Sequence, residues 1–167
     1  MSMATTDVPQ AERIRLRRMV LLDAPAVSAL SGELGYPTET ARMIARLAAI
    51  LDREDHAAFV ATRGDAILGW GHAFVCQFVE SDAFVEIGGL VVGEAARGQG
   101  VGSKLVEAIA GWARTQGVAE VRVRSNIKRG RAHAVYKSRG FVETKAQLVF
   151  ARPLLQPAQD EASDGSA

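Results

Sequence analysis

The chain has 167 residues, of which 48% are hydrophobic and 23% charged, and its formal net charge is +1. These values are ordinary for one soluble globular domain with a substantial core, and they give no general attraction to nucleic acid or to a membrane surface. A single cysteine, Cys76, excludes an internal disulfide. We therefore expect a protein of the reducing cytoplasm without nucleic-acid or membrane partners.

The first part of the chain predicts a leader and a strand. Residues 1–11 are expected to form a flexible leader. Residues 12–18, ERIRLRR, alternate apolar and charged side chains, which predicts a half-buried strand with Ile14 and Leu16 inward. We interpret the arginines on its other face as a solvated surface.

Two helices are predicted next. Asp23 is a suitable N-cap and Pro25 falls in the first turn, so a helix is expected to begin here and to end at Gly35. Thr38 is expected to cap a second helix over residues 39–53. The apolar stripe of this second helix is Met43, Ile44, Leu47, Ala48 and Leu51.

A β-hairpin is predicted around Gly64-Asp65, because two β-rich runs flank this dipeptide. The second run alternates large residues with small ones. Its large residues are Leu68, Trp70, His72, Phe74, Cys76 and Phe78. We interpret His72 and Cys76 as packed core residues, since no basic or helix-dipole setting that would activate the thiol is evident. Residues 79–83 then form a polar turn.

Residues 84–117 carry the pattern that is most informative about function. An apolar, β-branched run predicts a buried strand, and a helix with Leu105, Ile109 and Trp112 at helical spacing follows it. Between them, residues 97–102 (RGQGVG) place three alternating glycines where the helix begins. Glycines let a ligand approach the backbone, and a helix N-terminus offers unpaired N–H groups, so this stretch predicts a seat for a phosphate or pyrophosphate.

The spacing of the glycines shows which of several known phosphate-binding motifs the loop can match. A Walker loop requires G-x-x-x-x-G-K-[ST], which the chain does not contain. In a dinucleotide fingerprint, G-x-G-x-x-G, the third glycine would come one residue later than it does here. The pattern R/Q-x-x-G-x-G/A is met by Arg97, Gly100 and Gly102.

The chain after the long helix predicts one more strand–helix–strand unit. Residues 119–125 alternate as a strand, and a helix over about 130–139 is terminated by Gly140. Residues 141–152 are expected to return as a strand. From Pro153 onward we expect a disordered tail.

The last helix also ends in the pattern Y-x-x-x-G-F, formed by Tyr136, Gly140 and Phe141. With the glycine loop (residues 97–102) and the element order βααβββαβαβ, this pattern resembles the GNAT superfamily of N-acetyltransferases. The resemblance covers residues 12–152. It implies an α/β (α+β) acyl-CoA N-acyltransferase fold, with a mixed, mostly antiparallel sheet flanked by helices.

The resemblance implies acetyl-CoA as the cosubstrate and no metal. Backbone N–H groups of the glycine loop would hold the pyrophosphate, and the exposed edge of the preceding strand would pair with the pantetheine arm. The implied cofactor-binding residues are Leu90, Val91, Val92, Arg97, Gly98, Gln99, Gly100, Val101, Gly102, Ser103 and Asn126. Many relatives carry an asparagine seven residues before the tyrosine, where this chain has Arg129; Asn126 stands ten residues before it.

Two residues are catalytic candidates by the same resemblance. Tyr136 occupies the position of the tyrosine that protonates the departing thiolate, and a phenol with a pKa of about 10 is protonated at neutral pH. Glu86 lies at the offset where histone-acetyltransferase-like relatives carry a glutamate base. A glutamate there can instead order the substrate or pair with an arginine.

The expected function is direct acetyl transfer from acetyl-CoA to a primary amine in a ternary complex. The acceptor would be a small cationic amine or a protein amine, because the predicted acceptor side is slightly acidic. Those acceptor-side residues are Glu33, Tyr36, Glu39, Glu80 and Asp82. The alternative from another class is a non-catalytic acyl-CoA-binding regulatory domain. Relatives often dimerise, so a homodimer is possible.

Overall fold

The computed structural model describes residues 13–154, so the expected leader and residues 155–167 of the expected tail lie outside the described residues. Five strands and four helices are described. The strands are β1 (Arg15–Arg18), β2 (His56–Arg63), β3 (Ala66–Phe78), β4 (Ser81–Val92) and β5 (Val121–Val123). The helices are α1 (Ala24–Glu33), α2 (Thr40–Ala48), α3 (Val101–Thr115) and α4 (Gly130–Ser138).

The five strands form one sheet in the order β1-β2-β3-β4-β5. Every neighbouring pair is antiparallel except β4 and β5, which are parallel and are joined by the crossover helix α3. This confirms the predicted fold class, a mixed and mostly antiparallel sheet with one parallel crossover. The crossover places the glycine loop at the end of β4, in front of α3.

Helices cover both faces of the sheet. On one face α3 contributes Leu105 and Ile109, both fully buried, and packs against apolar side chains of β2, β3 and β4. On the other face Val27 of α1 and Met43 of α2 pack in one buried cluster with Val60 of β2. Burying the apolar stripes of helices on two sides of a sheet is what completes a core of this size. The sheet therefore lies in the middle of the domain.

The predicted hairpin is confirmed, with Gly64 in the left-handed region at φ 56°. The alternation expected along β3 holds for Trp70, but it is wrong for Leu68. The β2–β3 register shifts between Ala61 and Thr62, and Leu68 packs with Ala61 on the α3 side, whereas Trp70 packs on the α1 side. A bulge inserts one residue and so reverses which face the following side chains occupy.

Two predicted elements differ from the structure. The second helix is shorter than 39–53: α2 begins at Thr40, Glu39 rather than Thr38 occupies the N-cap position, and residues after Ala48 continue as turns. The strand expected over 141–152 is wrong, because these residues form no strand and their apolar side chains are exposed, except that of Phe141, which packs near Tyr136. Strand propensity needs a neighbouring strand to pack on, and β5 offers only three residues.

Arg17 and Asp23 form an ion pair that links the end of β1 to the start of α1. Arg17 was expected to be merely solvated, but its Nη1 and Nη2 donate to the two carboxylate oxygens of Asp23 at 2.7 and 2.8 Å. The backbone N–H of Val20 donates to the same carboxylate. Asp23 does occupy the predicted N-cap position, yet its side chain makes no cap bond because Arg17 holds it. Asp23 is 6% exposed.

Replacing this carboxylate should destabilise the fold in a pH-dependent way. The hydrogen bond from Arg17 is the main cause that lowers the pKa of Asp23 in the folded protein. The stability it adds is therefore present above the unfolded pKa of about 3.9 and is lost as pH falls through the folded pKa. We expect Asp23→Asn to lower the free energy of unfolding by about 2 kcal/mol at pH 7 and by much less in strong acid. Urea unfolding at both pH values measures this difference.

The matched control is Asp55→Asn. Asp55 makes a similar two-bond pair with Arg53, but both side chains are about half exposed. Solvent screens such a pair, so its loss should change stability less than the loss of Asp23. Equal effects of the two substitutions would contradict the assignment of Asp23 as a buried anchor.

Candidate active site

The sheet opens between β4 and β5. Their parallel pairing runs only from Val85 opposite Val121 to Ile87 opposite Val123. Of the next residues of β4 within the described part of the chain, 89–92 pair with β3 alone, and Gly88 lies at the shift in the β3–β4 register. Because N–H and C=O groups of a strand point alternately to its two edges, some groups of this stretch face the gap. The gap therefore offers strand-like hydrogen bonds to an extended ligand.

The predicted strand residues lie along this gap. Leu90 and Val92 are half-buried and pack in the cluster that contains Val101 and Leu105 of α3. Val91 is buried and pairs with β3 in the register. Their side chains are thus engaged in the core, which leaves the backbone as the part that can meet a ligand.

The glycine loop joins the end of β4 to α3. Gly98 and Gly100 have φ values of 76° and 80°, a left-handed conformation that favours glycine. A Cβ added to Gly100 would meet no heavy atom within 4 Å, so the space beside it is open. Helix α3 begins at the next residue, Val101, and Ser103 lies in its first turn. Unpaired N–H groups of this turn and the helix dipole therefore favour an anion in that space.

Side chains hold the loop in shape. Arg97 directs its Nε toward the backbone oxygen of Val92 at 3.4 Å, and Gln99 donates to the backbone oxygen of Ala95. Arg63, at the end of β2, donates to the side-chain oxygen of Gln99 at 2.7 Å. This last contact joins residues 36 apart, so no local sequence pattern indicates it. Arg97 and Gln99 thus engage the loop itself with their side chains, and the backbone N–H of Arg97 also donates to the backbone oxygen of Glu94.

Helix α4 brings Tyr136 next to the loop and the gap. A Cβ on Gly102 would stand 3.6 Å from both Val92 and Val135, so α3, α4 and the end of β4 meet there. Tyr136, the following residue, is 8% exposed and belongs to the same buried cluster as Ile87, the last paired residue of β4. Burial raises the pKa of the Tyr136 phenol above its ordinary value. The phenol is therefore protonated throughout the neutral range.

Glu86 is a buried carboxylate one residue before the gap opens. It is 7% exposed, and its Oε1 accepts hydrogen bonds from Nε and Nη2 of Arg124 at 2.7 and 2.6 Å. The arginine partner is the alternative that the sequence left open for this glutamate. Arg124 lies just after β5 and is itself 68% exposed. The alternation along residues 119–125 predicts that Arg124 and the inward valines lie on opposite faces of the strand. It does not predict that Arg124 contacts Glu86.

The predicted cofactor contact Asn126 lies in the exposed loop before α4. Its side-chain oxygen accepts from the N–H of Lys128, and its backbone oxygen accepts from the N–H of Arg129. These bonds shape the entry to α4. Arg129 in turn reaches across to the α1–α2 loop, where its Nη2 lies 3.3 Å from the hydroxyl of Tyr36. The loops on the two sides of the site therefore touch at this point.

One residue of the expected acceptor side has another role. The carboxylate of Glu33 accepts a hydrogen bond from the backbone N–H of Glu94 at 2.8 Å, so it ties α1 to the segment after β4. Glu80 lies in the β3–β4 turn and Asp82 near the start of β4, and both are exposed. Within residues 13–154 no group of three or more histidine, cysteine or acidic side chains could hold a metal ion, and no helix is long and apolar enough to cross a membrane.

Comparisons with known proteins agree with this geometry. The model of the acetyltransferase (GNAT) family matches residues 24–141. No curated protein matches the chain. Among solved structures, the aminoglycoside N-acetyltransferase AAC(6')-Iy in complex with CoA superposes with a TM-score of 0.77 at 22% identity, covering 89% of this chain and 99% of that one.

Two further structures share the fold. The aminoglycoside antibiotic 6'-N-acetyltransferase AAC(6')-Ih from Acinetobacter baumannii has a TM-score of 0.74 at 16% identity, over 85% of this chain and 99% of the other. A protein described as a transcriptional regulator from Bacillus halodurans C-125 has a TM-score of 0.74 at 21% identity, over 84% and 100%. At these identities the likeness concerns the fold alone.

Proposed function

The chain belongs to the GNAT acetyltransferase family and is an acetyl-CoA-dependent N-acetyltransferase, and we propose that it transfers the acetyl group directly to a primary amine in a ternary complex. The observation that carries the proposal is the gap after Ile87, which opens on the strand that leads to the glycine loop and begins at a residue of the buried cluster that contains Tyr136. An extended thioester in this gap would have its phosphates at one end and its sulfur beside a phenol. We propose a small cationic amine as the acceptor, with a protein amine as the second class.

The loop and the strand edge fit the cosubstrate. The open space at Gly100 and the first turn of α3 would take the pyrophosphate through backbone N–H groups. The unpaired edge of residues 88–92 would hold the pantetheine arm, and one of its N–H groups would polarise the thioester oxygen. Acetyl-CoA supplies the activated acetyl group, and this chain fixes its position.

Tyr136 would protonate the departing thiolate. When the amine nitrogen bonds to the thioester carbon, the C–S bond breaks and the sulfur leaves with the electron pair. A buried phenol whose pKa is raised by desolvation holds its proton until that moment. Solvent then restores the proton to Tyr136.

Glu86 would attract and orient the acceptor. It is a buried carboxylate on the strand that carries the gap, and its Oε1 accepts two hydrogen bonds from Arg124. A fixed negative charge near the gap favours a cationic amine over a neutral one. The aminoglycoside N-acetyltransferases that share this fold give independent support to an acceptor of this class.

Removing the charge at Glu86 should weaken acceptor binding more than cosubstrate binding. We expect Glu86→Gln to raise the KM for a dicationic amine about tenfold and to leave the KM for acetyl-CoA unchanged, since a charge-assisted contact contributes roughly 1.5–3 kcal/mol. The control is Glu120→Gln, which removes a carboxylate paired with Arg122 at the surface. An unchanged acceptor KM in Glu86→Gln would contradict this role.

The function itself is tested by acetyl-CoA-dependent thiol release with a panel of amines: polyamines, aminoglycosides, amino acids and lysine peptides. Turnover with the small cationic amines alone supports the first acceptor class, and turnover with the peptides alone supports the second. No turnover across the panel, with acetyl-CoA still raising the melting temperature, would favour the non-catalytic acyl-CoA-binding alternative. No turnover and no such shift would refute both.

A further inference from the structure

Two histidines form a hydrogen-bonded pair beside the gap, and we infer that this pair removes the proton from the acceptor nitrogen. His56 Nδ1 and His72 Nε2 lie 2.9 Å apart, which is hydrogen-bond distance, and the two rings are stacked at 5.2 Å. The inference rests on the proposed acetyl transfer. It assigns to His72 a catalytic contact with the amine and to His56 a positioning and relay role.

His72, the inner histidine of the pair, lies beside the point where β4 and β5 separate. A Cβ placed on Gly88 would stand 3.1 Å from Nδ1 of His72, the ring nitrogen that does not face His56. Gly88 is the first residue of β4 beyond the pairing with β5, and it is exposed. The β3–β4 register shifts here, between His72 and Ala73. A Cβ there would also stand 2.9 Å from Cε1 of Phe74, so only glycine lets the β4 backbone pass this close to the ring. Nδ1 of His72 therefore lies against the first residue of the gap that would hold the thioester.

The aromatic packing of the pair holds the two imidazole rings in place. Phe74 stacks against both imidazoles, with ring centroids at 5.5 and 5.7 Å. Only one proton can lie between His56 Nδ1 and His72 Nε2. If His72 donates it, Nδ1 of His72 carries a lone pair directed toward Gly88, and Nε2 of His56 carries the other proton. This arrangement can accept a proton at the gap and pass one on to His56.

Burial of the two imidazoles favours their neutral forms before the reaction. Desolvation lowers the pKa of His72 to about 4, with His56 as the second cause, and it also lowers the pKa of His56. Asp55 raises the pKa of His56 and Arg53 lowers it. Farther along the neighbouring strands the titratable groups are Cys76 on β3, Glu86 on β4, Arg122 on β5 and Arg124 just after β5.

The proton inventory of the step balances. The acceptor loses one proton to bulk water before it attacks as a neutral amine. Its nitrogen then bonds to the thioester carbon and becomes strongly acidic, and His72 Nδ1 takes the second proton. His72 Nε2–H passes to His56 Nδ1, and His56 releases its Nε2 proton to solvent. The starting tautomers return when His72 Nδ1 gives its proton to solvent, His56 Nδ1–H passes back to His72 Nε2 and His56 Nε2 takes one proton from solvent, with no net change in protons. Tyr136 donates to the sulfur and is reprotonated from solvent, so the whole reaction releases one proton.

The test measures turnover of the full chain with the best acceptor from the panel, for His72→Gln, His56→Gln and the double variant. We expect kcat to fall about 100-fold in His72→Gln, as for loss of a general base, and less in His56→Gln. The double variant should be no slower than His72→Gln, because residues that act as a unit are not additive. The KM for acetyl-CoA should stay unchanged.

The pH profile separates proton transfer from packing. Without His72 the proton must pass to water or hydroxide, so the deficit of His72→Gln should be largest near pH 6 and should shrink toward pH 9. A purely structural role would give the same deficit at every pH, and that result overturns the inference. So does a His72→Gln variant with wild-type kcat. A wild type that binds acetyl-CoA but acetylates no amine would overturn this inference and the proposed function together.

Discussion

Gly100→Glu should abolish acetyl-CoA binding while the protein remains folded. The new carboxylate would project into the open space beside the glycine loop, where the pyrophosphate is expected, and no protein atom lies there to be displaced. Like charges about 4 Å apart repel by roughly 1–4 kcal/mol between bulk water and a protein surface. We therefore expect the Kd for acetyl-CoA, measured by calorimetry, to rise at least 100-fold.

Two matched variants separate charge from strain and size. Gly100 has φ 80°, so any other residue there costs backbone energy, about 1–2 kcal/mol. Gly100→Ala carries this strain without bulk, and Gly100→Gln carries strain and the bulk of glutamate without its charge. The expected order of Kd is wild type, Ala, Gln, Glu, with the Gln–Glu difference shrinking as salt is added. Equal affinities of folded Gln and Glu variants would mean that the phosphates lie elsewhere.

The glycine loop was predictable because its causes are local. The positive φ values at Gly98 and Gly100, and the start of α3 at the next residue, follow from the residue types within a few positions. The hairpin at Gly64 has the same kind of local cause. The roles in ligand binding that the resemblance assigns to these residues stay predictions, as do those of Tyr136 and Glu86.

The partners of the site residues were not predictable, because they come from distant parts of the chain. Glu86 meets Arg124 only because α3 returns β5 parallel to β4, 38 residues later. His56 and His72 face each other because the β2–β3 register opposes them within two residues. Periodicity places a side chain on one face of a strand but does not give the register.

The two corrected strand features have a similar physical origin. The bulge near Ala61 places Leu68 on the other face of the sheet, and the alternation of residue types along β3 does not predict it. The segment 141–152 has strand-like residues, but it has no paired neighbour in the described structure and its apolar side chains beyond Phe141 are exposed. Both cases show that a strand is decided by its neighbours rather than by its own composition.

Tyr136→Phe should slow the chemical step without weakening the cosubstrate site. The substitution removes one oxygen from a residue that is 8% exposed and keeps the ring that packs against Phe141 and Ile87. The departing thiolate would then leave unprotonated or take its proton from water. General acid catalysis typically contributes 10²–10⁴-fold, so we expect kcat to fall about 100-fold while the Kd for acetyl-CoA changes less than twofold.

The pH dependence distinguishes a proton donor from a packing residue. Because burial raises the pKa of Tyr136, the wild type should keep its donor through the neutral range and lose it only above the ordinary phenol value of about 10. The variant has no group to lose, so its deficit should be constant from pH 6 to pH 9, unlike the deficit expected for His72→Gln. Melting temperatures and acetyl-CoA affinities serve as controls. Unchanged kcat in a folded Tyr136→Phe would remove this residue as the acid and leave solvent as the proton source for the thiolate.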